Sequence, residues 1–347
     1  MKILILKPSS LGDVIHALPV LRLIKQARPQ SQIYWWLESS LVPLLEGDPD
    51  LTGVIPFHRK RWSNPRYWNE AWRSIQDIRA QKFDWVIDLQ SLLRSGVLAW
   101  LANGDFTIGL DDPREGAGAF YDVVVPRPSY FTHAADWYLS VLPFLGVPVH
   151  RNFDWLPARS DAVKQVQRHP QMNGGDWVCL QPGARWMNKR WPVEHFVELV
   201  RLGSKRNPNL NFAILGGHAD ADLGRAIAAA SPSRCVDLTG KTTLHEMVEW
   251  LRISRCLVTN DTGPMHVAAA LDKPVIALFG PTEPRRTGPY RQLANVTRLD
   301  LPCIPCMKST CSWKDPLACL TGISPVRILN KLESVLAFAA CQSPPPS

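Results

Sequence analysis

Apolar residues follow two rhythms along this chain. Short runs rich in Val, Ile, Leu and Trp alternate with longer stretches in which apolar positions recur every three or four residues. The first rhythm predicts buried β-strands and the second amphipathic helices, and their alternation predicts parallel α/β architecture. In the first half, strands are expected over 2–6, 31–36, 53–57, 84–88 and 106–109, with helices over 13–27, 68–81, 91–101 and 132–145. In the second half, strands are expected over 177–181, 211–215, 234–237, 256–259 and 274–279, with helices over 193–205, 219–230, 243–252 and 263–271. Val147-Pro148 and Leu156-Pro157 interrupt the pattern and predict a linker near 146–160. The expected organisation is two doubly wound, Rossmann-like domains, 1–155 and 156–325. A C-terminal helix (326–342) is expected to pack back towards the first domain, and the tail 343–347, Ser-Pro-Pro-Pro-Ser, to be disordered.

Open α/β sheets bind ligands beyond the carboxyl ends of their strands. With two such sheets, the expected site is a cleft where both carboxyl edges meet, so the loops that follow strands carry the candidate chemistry. After the first strand comes Ser9-Ser10-Leu11-Gly12-Asp13-Val14-Ile15-His16. Asp13 could accept a proton from an attacking hydroxyl, or simply cap the helix it opens. Gln181-Pro182-Gly183-Ala184-Arg185-Trp186-Met187-Asn188-Lys189-Arg190 follows a second-half strand. Its three cations suit a diphosphate, Lys as a point charge and Arg as a fork, or form a solvated basic loop. Asn260-Asp261-Thr262-Gly263-Pro264-Met265-His266 runs from a strand through a tight turn into a helix of small residues. A helix N-terminus behind Gly offers N–H groups to an anion, with His266 one turn in. Gly216-Gly217-His218-Ala219-Asp220-Ala221-Asp222 and Phe279-Gly280-Pro281-Thr282 follow two further strands. Either Asp220 or Asp222 could meet ribose hydroxyls, and both segments also read as ordinary turns. The absence of G-x-G-x-x-G disfavours a dinucleotide site.

Charge narrows the partners. Lys plus Arg number 39 against 31 Asp plus Glu, a formal net charge of +8, which suits phosphates or an acidic membrane surface. Fourteen Trp permit docking at a headgroup layer as well as core packing. Motifs confined to strand-end loops, rather than one continuous basic stripe, argue against nucleic acid. No apolar run is long enough to span a bilayer, and Met1-Lys2-Ile3-Leu4-Ile5-Leu6-Lys7 reads as a strand rather than a signal peptide. The expected compartment is the cytoplasm.

Together these motifs resemble the ADP-heptose:lipopolysaccharide heptosyltransferases, glycosyltransferase family 9. The opening Ser9–His16 with Leu18-Pro19, the segment Lys189-Arg190-Trp191-Pro192, Asp261–His266 and Phe279–Thr282 stand in the family's order. The resemblance implies a GT-B fold and inverting, metal-independent transfer with no cofactor beyond an ADP-heptose donor. It implies an N-terminal acceptor domain and a C-terminal nucleotide-sugar domain, with Asp13 as general base. Arg185, Lys189, Asp220, Asp261, Thr262, Gly263 and His266 would serve the donor. Ser9, Ser10, Gly12 and His16 would serve the acceptor, with Arg59, Lys60 and Arg61 of the basic segment His58–Trp62 meeting carboxylates or lipid phosphates. Within the family the opening is closer to the members that add the first heptose to Kdo, which implies a lipid-linked Kdo acceptor and a peripheral position on the inner leaflet. Cys303-x2-Cys306-x4-Cys311-x7-Cys319 opens as zinc or iron–sulfur sites do, but its last pair is seven apart. A compact loop without metal is the expected reading.

Overall fold

The computed structural model of the chain describes residues 1–342 apart from 113 and 173; the expected tail at 343–347 lies outside the described residues. Two units divide the chain, Met1–Pro157 and Ala158–Ser347, so the break falls inside the expected linker.

The first unit is built on β1 (Lys2–Leu6), β2 (Gln32–Glu38), β3 (Gly53–Phe57), β4 (Trp85–Asp88), β5 (Phe106–Leu110) and β6 (Val123–Val125). All pairs are parallel and the order is β3-β2-β1-β4-β5-β6. This is the doubly wound order, with its switch point between β1 and β4. Ile3, Leu4, Ile5 and Leu6 are fully buried, as expected where helices cover both faces of a parallel sheet. Pro56, which cannot donate to a ladder, lies in the edge strand β3. The segment expected to link the halves is partly anchored here. Arg22, buried in the Leu11–Ala27 helix, binds Asp48 at 2.6 Å and Asp50 at 2.7 Å and donates to the Trp155 carbonyl at 3.1 Å.

The second unit is built on β7 (Asp176–Gln181), β8 (Leu210–Ile214), β9 (Cys235–Asp237), β10 (Cys256–Asn260), β11 (Val275–Leu278) and β12 (Val296–Thr297). These are also parallel, in the order β12-β11-β10-β7-β8-β9. Numbered from β7, this repeats the order of the first sheet and puts its switch point between β7 and β10.

Two expectations need correcting. Each sheet has one more strand than the pattern predicts, β6 and β12, whose three and two residues are too short to show a rhythm. The helix expected over 132–145 is a helix, Ala134–Leu139, followed by a separate 3₁₀ turn, Leu142–Leu145, with Pro143 in its first turn. The helix Pro325–Gln342 places Ile328, Leu329 and Leu332 in the core of the second unit, beside Leu199 and Val200 of the Val193–Arg206 helix.

Candidate functional site

In the first unit the chain leaves β1 at the switch point and enters the Leu11–Ala27 helix. Asp13 sits in the first helical turn and is half-buried. Its Oδ2 accepts from the Ser10 N–H at 3.0 Å and the Ser10 hydroxyl at 2.8 Å, while Oδ1 accepts from the Tyr138 hydroxyl at 3.3 Å. The capping role foreseen for Asp13 is therefore present, and one oxygen is directed away from the cap. Lys7 lies beneath it, 4% exposed, donating to the Leu89 carbonyl at 2.9 Å with its ammonium 4.6 Å from the Tyr138 ring centre. Burial lowers the Lys7 pKa, opposed by Asp13 and Asp88. Burial, then the neighbouring Asp13, holds the Tyr138 hydroxyl well above its ordinary value, so it acts as a donor. Asp88 ends β4, fully buried, and accepts from Tyr121 at 2.7 Å and from the N–H groups of Gln90 and Ser91. Burial raises its pKa against those hydrogen bonds.

The other expected acceptor residues differ in access. Ser10 is exposed, Ser9 half-buried and Gly12 buried. His16 is 2% exposed, its ring edge-on to His133 at 4.8 Å. Arg59, Lys60 and Arg61 form a short exposed helix with Trp62. Arg61 is held by Glu70 at 2.8 Å and lies over the Tyr67 ring, whereas Arg59 and Lys60 have no ionic partner among the described residues.

In the second unit the loops after β7, β8 and β10 converge. Lys189 pairs with Asp261 at 2.5 Å, joining the two strands that flank the switch point, and its ammonium stands 4.8 Å from the Trp186 ring centre. Asp261 is 7% exposed and also accepts from Thr282 after β11 at 2.7 Å. Asn260 ties the same loops together, donating to the Pro182 carbonyl at 2.7 Å and accepting from the Trp191 N–H at 3.0 Å. Asp220 lies over the β7 loop. A side chain built on Gly183 would come 2.4 Å from its carboxyl, so only glycine allows that approach. Asp220 also accepts from the Gly217 N–H at 3.1 Å and faces Arg190 at 3.6 Å. Asp222 points away, exposed and paired with Arg225 at 3.2 Å. Between the two carboxylates left open by the spacing, Asp220 is the one at the loop. Arg185 is exposed.

The helix Gly263–Ala270 begins behind Thr262, whose side chain makes no cap bond; Pro264 has no N–H and the Met265 N–H returns to the Thr262 carbonyl at 3.1 Å, so the Gly263 N–H is the donor the helix start presents. His266 is 8% exposed on that first turn. Cys303, Cys306, Cys311 and Cys319 line one cavity of about 340 Å³ together with Asn188 and Trp313. Among the described residues no group of three or more His, Cys, Asp or Glu is arranged to hold a metal ion, and no helix is long and apolar enough to cross a membrane.

Asp88, Tyr121, Tyr138, Asn260 and Thr282 belong to these clusters and were not singled out as site residues. Asp88 and Asn260 end strands, so the strand-end rule points to them. Nothing local in the sequence distinguishes Tyr121 or Tyr138.

Comparisons with known proteins bear on these loops. Residues 71–316 match the model of glycosyltransferase family 9 (heptosyltransferase). The chain is 30% identical to lipopolysaccharide heptosyltransferase 1 of Pseudomonas aeruginosa, covering 97% of this chain and 98% of that protein. It is 27% identical to lipopolysaccharide heptosyltransferase 2 of Salmonella typhimurium, covering 97% and 99%. Its fold matches the solved E. coli ADP-heptose LPS heptosyltransferase II with a TM-score of 0.79 at 24% identity, over 98% of this chain and 100% of that one. Two doubly wound domains in one chain are the GT-B architecture, as expected.

Proposed function

This chain belongs to glycosyltransferase family 9, the heptosyltransferases, and from that premise we propose that it transfers heptose from ADP-heptose to a Kdo residue of a lipid-linked lipopolysaccharide core. The observation that carries the reading is the content of the two switch points. One unit presents a half-buried carboxylate, Asp13, after β1. The other presents a cation and an open helix N-terminus after β7 and β10.

In this mechanism Asp13 takes the proton of the acceptor hydroxyl as its oxygen attacks the anomeric carbon. The bond from that carbon to the phosphate oxygen breaks, the configuration inverts, and ADP leaves. Negative charge then grows on the diphosphate. Lys189 and Arg185 supply positive charge there, and the N–H groups at Thr262 and Gly263 supply donors that need no reorganisation. Asp261 holds Lys189 until the diphosphate competes for it, and His266 lies on the helical turn facing the same anion. Asp220 is the carboxylate for the ribose hydroxyls. On the acceptor side, Ser9, Ser10 and Gly12 line the approach to Asp13 and His16 supports their helix. Arg59 and Lys60 meet acceptor carboxylates or phosphates, and Arg61 is the cation that must first leave Glu70. A lipid-linked acceptor puts the enzyme on the cytoplasmic face of the inner membrane as a peripheral protein.

Relatives named for the first and for the second heptose both match along nearly the whole chain, so the acceptor is the discriminating variable. The test is to incubate the protein with ADP-heptose and either Kdo-lipid A or its heptosylated form, and to weigh the products. Heptose added to Kdo-lipid A is expected. Transfer only to the heptosylated acceptor would move the assignment to the second heptose, and transfer to neither would refute the reading. Asp13→Asn is expected to lower turnover by at least about a hundredfold while ADP affinity stays within about twofold. Parallel loss of both would remove Asp13 from the base role.

A further inference from the structure

We propose that the segment Arg59–Arg73 of the first unit is a docking face for an anionic lipid headgroup layer, with Trp68 and Trp72 entering the layer. This deepens the reading above and rests on it for the lipid nature of the acceptor. The surface itself is argued from its own residues.

The helix Trp68–Ala80 turns Ile78 into the core and half-buries Ile75. Trp68 and Trp72, one helical turn apart, are 61% and 53% exposed. An indole at a water-facing position keeps its apolar ring in water, whereas a headgroup boundary accommodates both ring and N–H. Charge around the pair is one-sided. Glu70, the acid inside the segment, is consumed by Arg61 at 2.8 Å and by the Trp62 indole N–H at 3.1 Å. Arg59, Lys60, Arg66 and Arg73 are exposed and have no ion pair among the described residues. Asp77 is the next acid along the helix and is also exposed, so four cations less one acid leave an excess of three positive charges. Exposed indoles flanked by unpaired cations match an anionic bilayer surface, where each cation is worth roughly a fivefold gain in partition. Single-stranded nucleic acid also takes aromatic and basic groups, but it needs a groove that tracks a backbone. The two indoles here project from one convex helix.

The test is co-sedimentation of the full chain with vesicles of phosphatidylcholine alone or doped with phosphatidylglycerol. The wild-type protein is expected to partition at least about tenfold more strongly onto the doped vesicles, with the preference shrinking as salt is raised. Trp68→Ser/Trp72→Ser is expected to lower that partition roughly tenfold and, separately, Arg66→Gln/Arg73→Gln roughly twenty-fivefold. Both variants should keep the wild-type melting temperature and the wild-type rate on a deacylated, water-soluble acceptor. Equal binding to both vesicle types overturns the proposal, as does unchanged partition of both variants. Tighter binding to single-stranded nucleic acid than to doped vesicles at the same salt also overturns it. Vesicle binding needs no donor, so a protein that binds vesicles but transfers no heptose sinks the proposed function alone. One that glycosylates the soluble acceptor but ignores vesicles sinks only this inference.

Discussion

Asp261→Asn isolates what the Lys189–Asp261 pair does for the second unit. The substitution keeps the side-chain shape and removes one negative charge. The wild-type carboxylate is 7% exposed and accepts from the Lys189 ammonium at 2.5 Å and from the Thr282 hydroxyl at 2.7 Å. A hydrogen bond to a charged group is worth about 1.5–3 kcal/mol and a neutral one about 0.5–1.5 kcal/mol, so turning the Thr282 bond from the first kind into the second costs roughly 1 kcal/mol. The Lys189 side chain, 18% exposed, then keeps its charge without a counter-ion. Full burial would make that worth several kcal/mol, but its remaining access to water limits the addition to about 1 kcal/mol. The expected loss is about 2 kcal/mol, or a fall of about 4–8 °C in the melting of a unit this size. Scanning calorimetry of the wild type, Asp261→Asn, Lys189→Met and the double variant measures it, and the cycle isolates the pair. Lys189→Met in the Asp261→Asn background should cost much less than in the wild type. A loss under about 0.5 kcal/mol, or additive single costs, would refute the claim that this ion pair holds the two loops together.

Two further outcomes follow from the buried groups. Burial pushes the thiols of Cys179, Cys235 and Cys256 up to about 12, whereas backbone N–H groups, Leu317 first, hold the exposed Cys311 below its ordinary value. Iodoacetamide on the native protein, followed by peptide mass mapping, should therefore modify Cys311 at least roughly a hundredfold faster than those three, and comparable rates would contradict the burial argument. Asp88 has a folded-state pKa raised by burial, so between its unfolded and folded values the native state binds more protons and stability falls as pH rises. Asp88→Asn removes that slope. Urea midpoints should move in favour of the variant between about pH 4 and pH 7, and a flat or opposite trend would show that Asp88 is not the source.

How far the site was legible depends on whether a residue's role is set by its neighbours in sequence or by distant ones. Asp13, Lys189 and Asp261 stand directly after strands β1, β7 and β10 or in the loops that leave them, and alternation plus the strand-end rule is enough to find them. That Lys189 meets Asp261 across 72 positions, or Asp13 meets Tyr138 across 125, is fixed by sheet order, which no local pattern encodes. Asp220 and Asp222 were inseparable for a different reason. The helix begins at Ala221, so one acid belongs to the turn and the other to an exposed helical face. A helix start displaced by two residues exchanges their roles. Arg22 inverts the usual rule, a cation on the buried side of a helix, because Asp48 and Asp50 wait for it there.

The two sheets share one strand order, yet their switch points are finished with opposite chemistry, and the helix that follows each shows why. After β1, the helix carries its own anion in the first turn: Asp13 returns to Ser10, and its charge offsets the positive end of the helix dipole. A phosphate brought to that terminus would meet a carboxylate already in place. After β10, the helix opens with Thr262-Gly263-Pro264 and no acid in its first turn, and the nearby anion, Asp261, is matched by Lys189. An arriving diphosphate there gains the dipole and can take the ammonium from Asp261. Of these two helix N-termini, one beside each switch point, only the second lacks an acid in its first turn and so is electrostatically open to a phosphate, while the first keeps a carboxylate oxygen directed away from its cap. Under the proposed function, this contrast is what would give the diphosphate to the second unit and the proton transfer to the first.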